Sequence, residues 1–129
     1  MNVENRDSLS FRELLAWAWR ETPPVHTNTA NLIIHLFAVP LFVFGHLLLL
    51  AAIVFSWWLA VFGLVCIIVS VALQGVGHAL ELQQVPPFTG GRDFLRRLYS
   101  EQFCNFWRFL FSGQWYASFG ARTGTTREG

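Results

Sequence analysis

Between residues 22 and 80 the chain carries no Arg, Lys, Asp or Glu, and this gap limits the possible folds more than any other feature. Within it, residues 32 to 73 form an apolar run of 42 positions. Among strongly hydrogen-bonding side chains, only His35, His46, Ser56 and Ser70 interrupt it. As helix the run would extend roughly 63 Å, about twice the ~30 Å hydrocarbon thickness of a bilayer, which fits two passes and not one or three. With charged residues at 13% and aromatic residues at 16% of 129, the chain is too apolar for a soluble domain of its size. The run is also too long, and begins too far along the chain, for a secretory signal.

One domain is expected, an all-α membrane protein built on a two-span antiparallel hairpin with amphipathic interfacial helices at both ends. All nine basic residues are Arg. Three stand against four acids in the first 21 residues, and six against three from Arg92 onward. Because the hairpin turn carries no charge, the positive-inside bias puts both termini in the cytoplasm. Cys66 lies in the second apolar segment, where it reads as a small hydrophobe, and Cys104 lies in the basic C-terminal part, so no disulfide is expected.

Ser10 and Glu13 have the spacing of a capping box, and Phe11, Leu14, Leu15 and Ala18 follow at helical spacing, which predicts an amphipathic helix over 9–20. Trp17 and Trp19 suit a membrane interface, and Pro23-Pro24 stops the helix. The first span is expected over 28–54, with Pro40 as a mild kink, and the second over 57–84, ahead of Pro86-Pro87. The turn at Ser56-Trp57-Trp58 has neither Gly nor Pro and rests on interfacial Trp placement. Arg mixed with Phe, Leu and Trp predicts an interfacial helix over 92–111, and the Thr- and Gly-rich tail over 122–129 is expected to be disordered. No internal repeat, phosphate-cradling Gly loop or nucleic-acid-binding pattern is present.

Asn28, Asn31 and His35 share one helical face, and Ser70, Gln74, Gly77, His78 and Glu81 share another. Polar groups in hydrocarbon are costly, so the two stripes should face each other or a cavity. Gly75 and Gly77 would allow the backbones to approach closely. From His35 to Ser56 is roughly 31 Å of helix, and from Ser56 back to His78 roughly 33 Å, so an antiparallel hairpin brings the two histidines to one level. His26 precedes the first span by a few residues and can fold over that level.

Clustered imidazoles with a nearby carboxylate and open positions suit non-haem Fe(II), so His26, His35, His78 and Glu81 form a candidate metal set. The alternative is a group of interfacial histidines hydrogen-bonded to Asn28, Asn31 or Gln74 without metal. His46 lies about 16 Å deeper and reads as a packed histidine bonded to a neighbouring helix. Glu81, at a helix end, is also read as a solvated charge. Arg92, Arg96 and Arg97 serve either as a topology signal or as partners of a lipid head group or a fatty carboxylate.

The stretch from His26 to Pro40, HTNTANLIIHLFAVP, resembles the first signature of the membrane 2-hydroxy fatty acid dioxygenases of fatty-acid α-oxidation, known from fungi. That signature is a His, an Asn two positions later, an Asn five later, a His nine later and a Pro five beyond it. His26, Asn28, Asn31, His35 and Pro40 occupy each place. QGVGHALELQQVP is similar to the second signature, with Gln74, Gly77, His78 and Pro86 in register. It departs at one place, where the family has Glu four residues after the His and this chain has Leu82, with Glu81 one earlier.

The resemblance covers roughly residues 26 to 87. It implies an Fe(II)- and O2-dependent enzyme that shortens a long-chain 2-hydroxy fatty acid by one carbon. His26, His35 and His78 would be the catalytic iron ligands, with Asn28, Asn31 and Gln74 orienting them and the acyl chain in the apolar layer. Two rival readings are a haem or electron-transfer protein using a pair such as His35 and His78, and a non-enzymatic membrane adaptor.

Overall fold

The computed structural model describes residues 6 to 124, with side chains for 6 to 121. Every regular element among the described residues is helical. They divide into two compact units, Asn28–Glu81 and the paired chain ends Met1–Thr27 with Leu82–Gly129.

The first unit is a hairpin of α2 (Thr29–Val54) and α3 (Trp58–Ala79). Asn28 starts α2: its side-chain oxygen accepts from the N–H of Ala30 at 2.9 Å and of Asn31 at 3.3 Å, satisfying two orphan donors of the first turn. Pro40 lies inside α2 without ending it. The two helices join through Phe55, Ser56 and Trp57, where the Ser56 and Trp57 carbonyls accept from Leu59 and Ala60 and start α3.

Cross-helix contacts pair Asn28 with Leu80, Ala38 with Ser70 and Gly45 with Gly63, so α2 and α3 run antiparallel. The crossing is closest at two glycines. A Cβ on Gly45 would stand 2.7 Å from the Gly63 carbonyl oxygen, and one on Gly63 2.6 Å from that of Gly45. Small residues that let backbones touch are the usual device where neighbouring surfaces are equally apolar. The expectation for Gly75 is corrected, because a Cβ there would meet nothing within 4 Å, whereas Gly77 lies directly against Asn31.

Both helices are long and apolar enough to cross a membrane, and only 22% of the apolar stretch of α2 and 17% of that of α3 is buried. Phe37, Phe44, Leu47, Phe62, Val65 and Ile68 are all exposed. A helix in the core of a water-soluble domain would hide these groups, because burying such a side chain is worth about 1.5–3 kcal/mol.

In the second unit, α1 (Phe11–Glu21) begins with the complete capping box: Glu13 N–H donates to Ser10 Oγ, and Ser10 N–H to the Glu13 carboxylate. A helical run then extends through α4 (Gly91–Ser100), a π turn (Glu101–Asn105) and α5 (Phe106–Phe111). Gly113, at φ 85°, turns the chain into α6 (Gln114–Gly124). The sequence pattern predicts no helix there. The disorder expected over 122–129 does not begin at 122, since α6 continues to Gly124; residues 125–129 lie outside the described residues.

The organising side chain of this unit is Trp17. It is buried, with the guanidinium carbons of Arg6 and Arg97 at 4.8 and 5.1 Å from its ring. Asp93 receives the Arg6 guanidinium at 3.0 Å and the Thr89 N–H at 3.0 Å. Arg6 also donates to the Pro87 carbonyl, and Arg97 to that of Pro86 at 2.8 Å. Trp19 lies under Arg108, at 4.0 Å. Both tryptophans expected at an interface therefore stack on guanidinium groups.

The second span is shorter than the expected 57–84. Its ladder tightens at the end, with Leu80 and Glu81 N–H donating to the carbonyls of Gly77 and His78, and helix stops at Ala79. A long-range interaction outweighs the local preference for continued helix, since the Glu81 side chain reaches across to the start of α2.

Candidate functional site

In the hairpin, the polar residues of the two stripes meet along one seam. His35 is fully buried and faces His78, with ring centroids 4.7 Å apart and planes at 74°. His35 Nδ1 lies 3.0 Å from the Asn31 carbonyl oxygen one turn earlier. A carbonyl only accepts, so Nδ1 carries a proton, which in the neutral ring leaves the lone pair on Nε2.

Asn31 has two jobs. Its backbone holds His35, while its side-chain amide donates to Glu81 Oε1 at 2.7 Å. The same oxygen accepts the Asn28 N–H at 2.9 Å, and the Asn28 amide donates to the Leu80 carbonyl at 3.2 Å. Glu81 is 4% exposed, so it is a buried group and not a solvated helix-end charge. It is a clasp that ties the end of α3 to the first turn of α2 and, through Asn31, to the backbone that orients His35.

Gly77 is required beside this clasp because any Cβ would collide with Asn31 Oδ1. Further along the seam, Gln74 donates to Ser70 Oγ at 3.0 Å, and Ser70 donates to the Ala38 carbonyl at 2.5 Å. The Gln74 amide thus supports the helix pairing through Ser70. The Ser70 bond reaches a carbonyl two residues before Pro40, a position no local sequence pattern singles out.

His26 belongs to the unit of the chain ends. It is 2% exposed, its Nδ1 donates to the Thr22 carbonyl at 2.7 Å, and the Phe109 ring lies 5.6 Å away. Nδ1 therefore carries a proton as in His35, and in the neutral ring the lone pair lies on Nε2. His46 repeats this bond with the Phe42 carbonyl of its own helix at 2.9 Å and packs, tilted by 38°, against the Phe42 ring at 4.5 Å. It is a packed, half-buried histidine, and the bond described is within its helix.

Arg96 and Arg97 are committed inside the chain-end unit. Arg96 donates to the carbonyls of Arg6 at 3.1 Å and Leu9 at 2.5 Å. Arg97 meets Asp93 at 3.7 Å and stacks on Phe88 at 4.2 Å. Burial, joined by the charge of Arg6, lowers the Arg97 pKa, although Asp93 and Glu101 offset part of the effect. Burial pushes the Asp93 carboxyl up, but hydrogen bonds from Arg6 and Thr89 and the charges of Arg6 and Arg97 outweigh it, leaving the group below the ordinary carboxylate range. Arg92 is the exposed member of the three.

No protein-family model, curated protein or solved structure matches the chain. Its class is thus defined by fold and chemistry: an all-helical protein with two helices able to cross a membrane and a histidine pair set in a polar seam.

Proposed function

We propose that this chain is an integral membrane enzyme that uses Fe(II), held by His26, His35 and His78, to shorten long-chain 2-hydroxy fatty acids oxidatively by one carbon. The observation that carries the metal reading is the His35–His78 geometry. A metal–nitrogen bond of about 2.1 Å, with about 1.1 Å more to the ring centre, puts each centroid about 3.2 Å from a shared ion. Two such rings 4.7 Å apart subtend about 95°, close to the right angle between neighbouring octahedral positions. His26 is added as the third imidazole on the resemblance, whose first signature begins at this residue. Only Thr27 separates it from the Asn28 cap, and its Nδ1–H is likewise taken by a carbonyl, the arrangement that fixes a ligating tautomer.

The reaction itself rests on the resemblance. The hairpin supplies a physical reason for four of its non-histidine positions: Asn28 caps α2, Asn31 orients His35, Gly77 makes room for Asn31, and Gln74 supports Ser70. Glu81, one residue before the family's Glu position, acts as the clasp. Iron would supply the one-electron chemistry that O2 requires. The chain's part is to orient the imidazoles through their Nδ1 bonds and exclude water from a fully buried His35. Both termini and the Arg-rich segment are assigned to the cytoplasm, with α4 and α5 lying at the interface. The exposed Arg92 is the member of its group placed to meet a substrate carboxylate, while the acyl tail lies in the apolar layer.

The test is metal analysis of the purified protein, followed by incubation with Fe(II) and a long-chain 2-hydroxy fatty acid under air. A product one carbon shorter is expected, and the acid lacking the 2-hydroxyl should stay unchanged. Iron-loaded protein that leaves a range of 2-hydroxy acids intact would refute the reaction. A strong visible absorption band in the purified protein would favour haem instead.

A further inference from the structure

Leu95, Tyr99, Phe103, Trp107 and Phe111 recur at every fourth position through α4, the π turn and α5. On a regular α-helix each step of four overshoots a full turn by about 40°, so the five positions would wrap about 160° around the axis. The π turn Glu101–Asn105 takes one additional residue into the helix and sets the phase back by about 100°. Tyr99 stacks on Phe103 at 5.9 Å with planes 13° apart, and Trp107 on Phe111 at 6.1 Å with planes 22° apart. Within the π turn the Gln102 carbonyl accepts the Trp107 indole N–H at 2.9 Å, which fixes that ring.

The ridge faces outward, with Leu95 53%, Phe103 42% and Phe111 79% exposed. The charges of this stretch differ in exposure, and Arg96 and Arg97 are half-buried. Asp93 and the Glu101 Oε1 atom are buried, while Arg92 and Arg108 are exposed. The exposed charges beside this aromatic surface are thus the cations Arg92 and Arg108, complementary to a layer of phosphates over hydrocarbon. Tyr and Trp favour that level because one end of each is apolar and the other polar. We infer that the ridge from Leu95 to Phe111 is a membrane-docking face, its rings at the headgroup boundary and Arg92 and Arg108 on lipid phosphates, and that the π turn keeps it in phase. This rests on the membrane reading of α2 and α3 and extends it to a defined surface of the chain ends.

The test uses the full chain, with Cys66→Ala and Cys104→Ser, reconstituted into bilayers of phosphatidylcholine and phosphatidylglycerol. Single spin labels are placed by Phe103→Cys, Phe111→Cys, Val65→Cys on the outer face of α3, and Gly90→Cys. Collision rates with O2, which concentrates in lipid, and with a water-soluble Ni(II) chelate are compared. The O2-to-nickel ratio at 103 and 111 should exceed that at 90 several-fold and fall below that at 65. Ratios at 103 and 111 equal to that at 90, with 65 in lipid, would overturn the docking face and leave the hairpin intact. A label at 65 that meets nickel freely would overturn the membrane reading and the ridge with it. Ridge labels shielded from both reagents and broadened by a second label would assign the face to a second copy of the chain, which also overturns the proposal.

Discussion

The hairpin and the chain ends solve opposite packing problems. In α2 and α3 the outward surface is apolar and the polar groups turn inward, where Asn28, Asn31, Gln74, Ser70 and Glu81 bond to one another or to the backbone. In the chain ends, charge itself is internal: Arg6, Asp93 and Arg97 gather at Trp17, and Arg96 holds the carbonyls of the N-terminal turn. The hairpin's polar contacts tie α2 to α3 and orient His35, whereas those of the chain ends gather charges around Trp17. Changes in the two regions should therefore fail in different ways.

The largest effect should come from the imidazoles. His26→Ala, His35→Ala and His78→Ala should each remove nearly all bound iron while the protein remains folded, as measured by elemental analysis beside circular dichroism. His46→Ala should retain iron, because that ring packs on Phe42. Equal iron in the wild type and the triple variant would end the metal reading, and with it the contrast between the regions.

Next comes Glu81→Ala, which unclasps Asn28 and Asn31 without removing an imidazole. Iron affinity should fall about 10-fold or more, as for other groups that orient ligands. Glu81→Gln keeps an acceptor oxygen and should fall less. Loss of iron as complete as in His35→Ala, for both Glu81 variants, would recast Glu81 as a ligand. Asn31→Ala should weaken activity less than His35→Ala, since the carbonyl that holds His35 belongs to the backbone.

A smaller effect should separate the glycines. Gly45→Leu overpacks the crossing and should destabilise the hairpin by about 1–3 kcal/mol, read by unfolding in detergent. Gly75→Ala should be neutral or slightly stabilising, since its side chain would enter open space and helix propensity improves.

The smallest effect should be a pH dependence confined to the chain ends. Burial raises the Glu101 carboxyl to about 7 from an unfolded value of 4.5, with the charge of Arg97 opposing the shift. Between those values the folded state holds the proton that the unfolded state has lost, so stability should fall as pH rises from about 4.5 to about 7. Asp93 acts in reverse. Its carboxyl is depressed, so its contribution is present above the unfolded value and fades as pH falls through the folded one. Glu101→Gln should flatten the neutral-side decline and leave the acid-side loss, as followed by melting temperature against pH.

Much of the hairpin was legible because hydrocarbon length and the absence of charge act over whole segments. Counting 1.5 Å per residue from Ser56 predicts that His35 and His78 share a level, and their rings stand 4.7 Å apart. The spacing of Ser10 and Glu13 likewise defined a cap that forms as expected. What escaped depends on partners distant in the chain. Glu81 leaves the helix for a residue 53 positions earlier, and Gly45 and Gly63 matter only because they oppose each other. Trp17 stacks on Arg6 and Arg97, neither of them near it in sequence. The π turn has no local signature, and the polar clasp could be guessed as a stripe but not resolved into donors and acceptors.

The uncharged turn from Phe55 to Trp57 has a consequence for biogenesis. In a chain that crosses a bilayer as proposed, moving this turn to the far side requires no ionised group to pass through hydrocarbon. The two helices can then insert together as one folded unit. Asn31, His35, Ser70 and Gln74 would enter lipid already bonded to each other or to nearby backbone, so neither span would have to present its polar stripe to lipid alone.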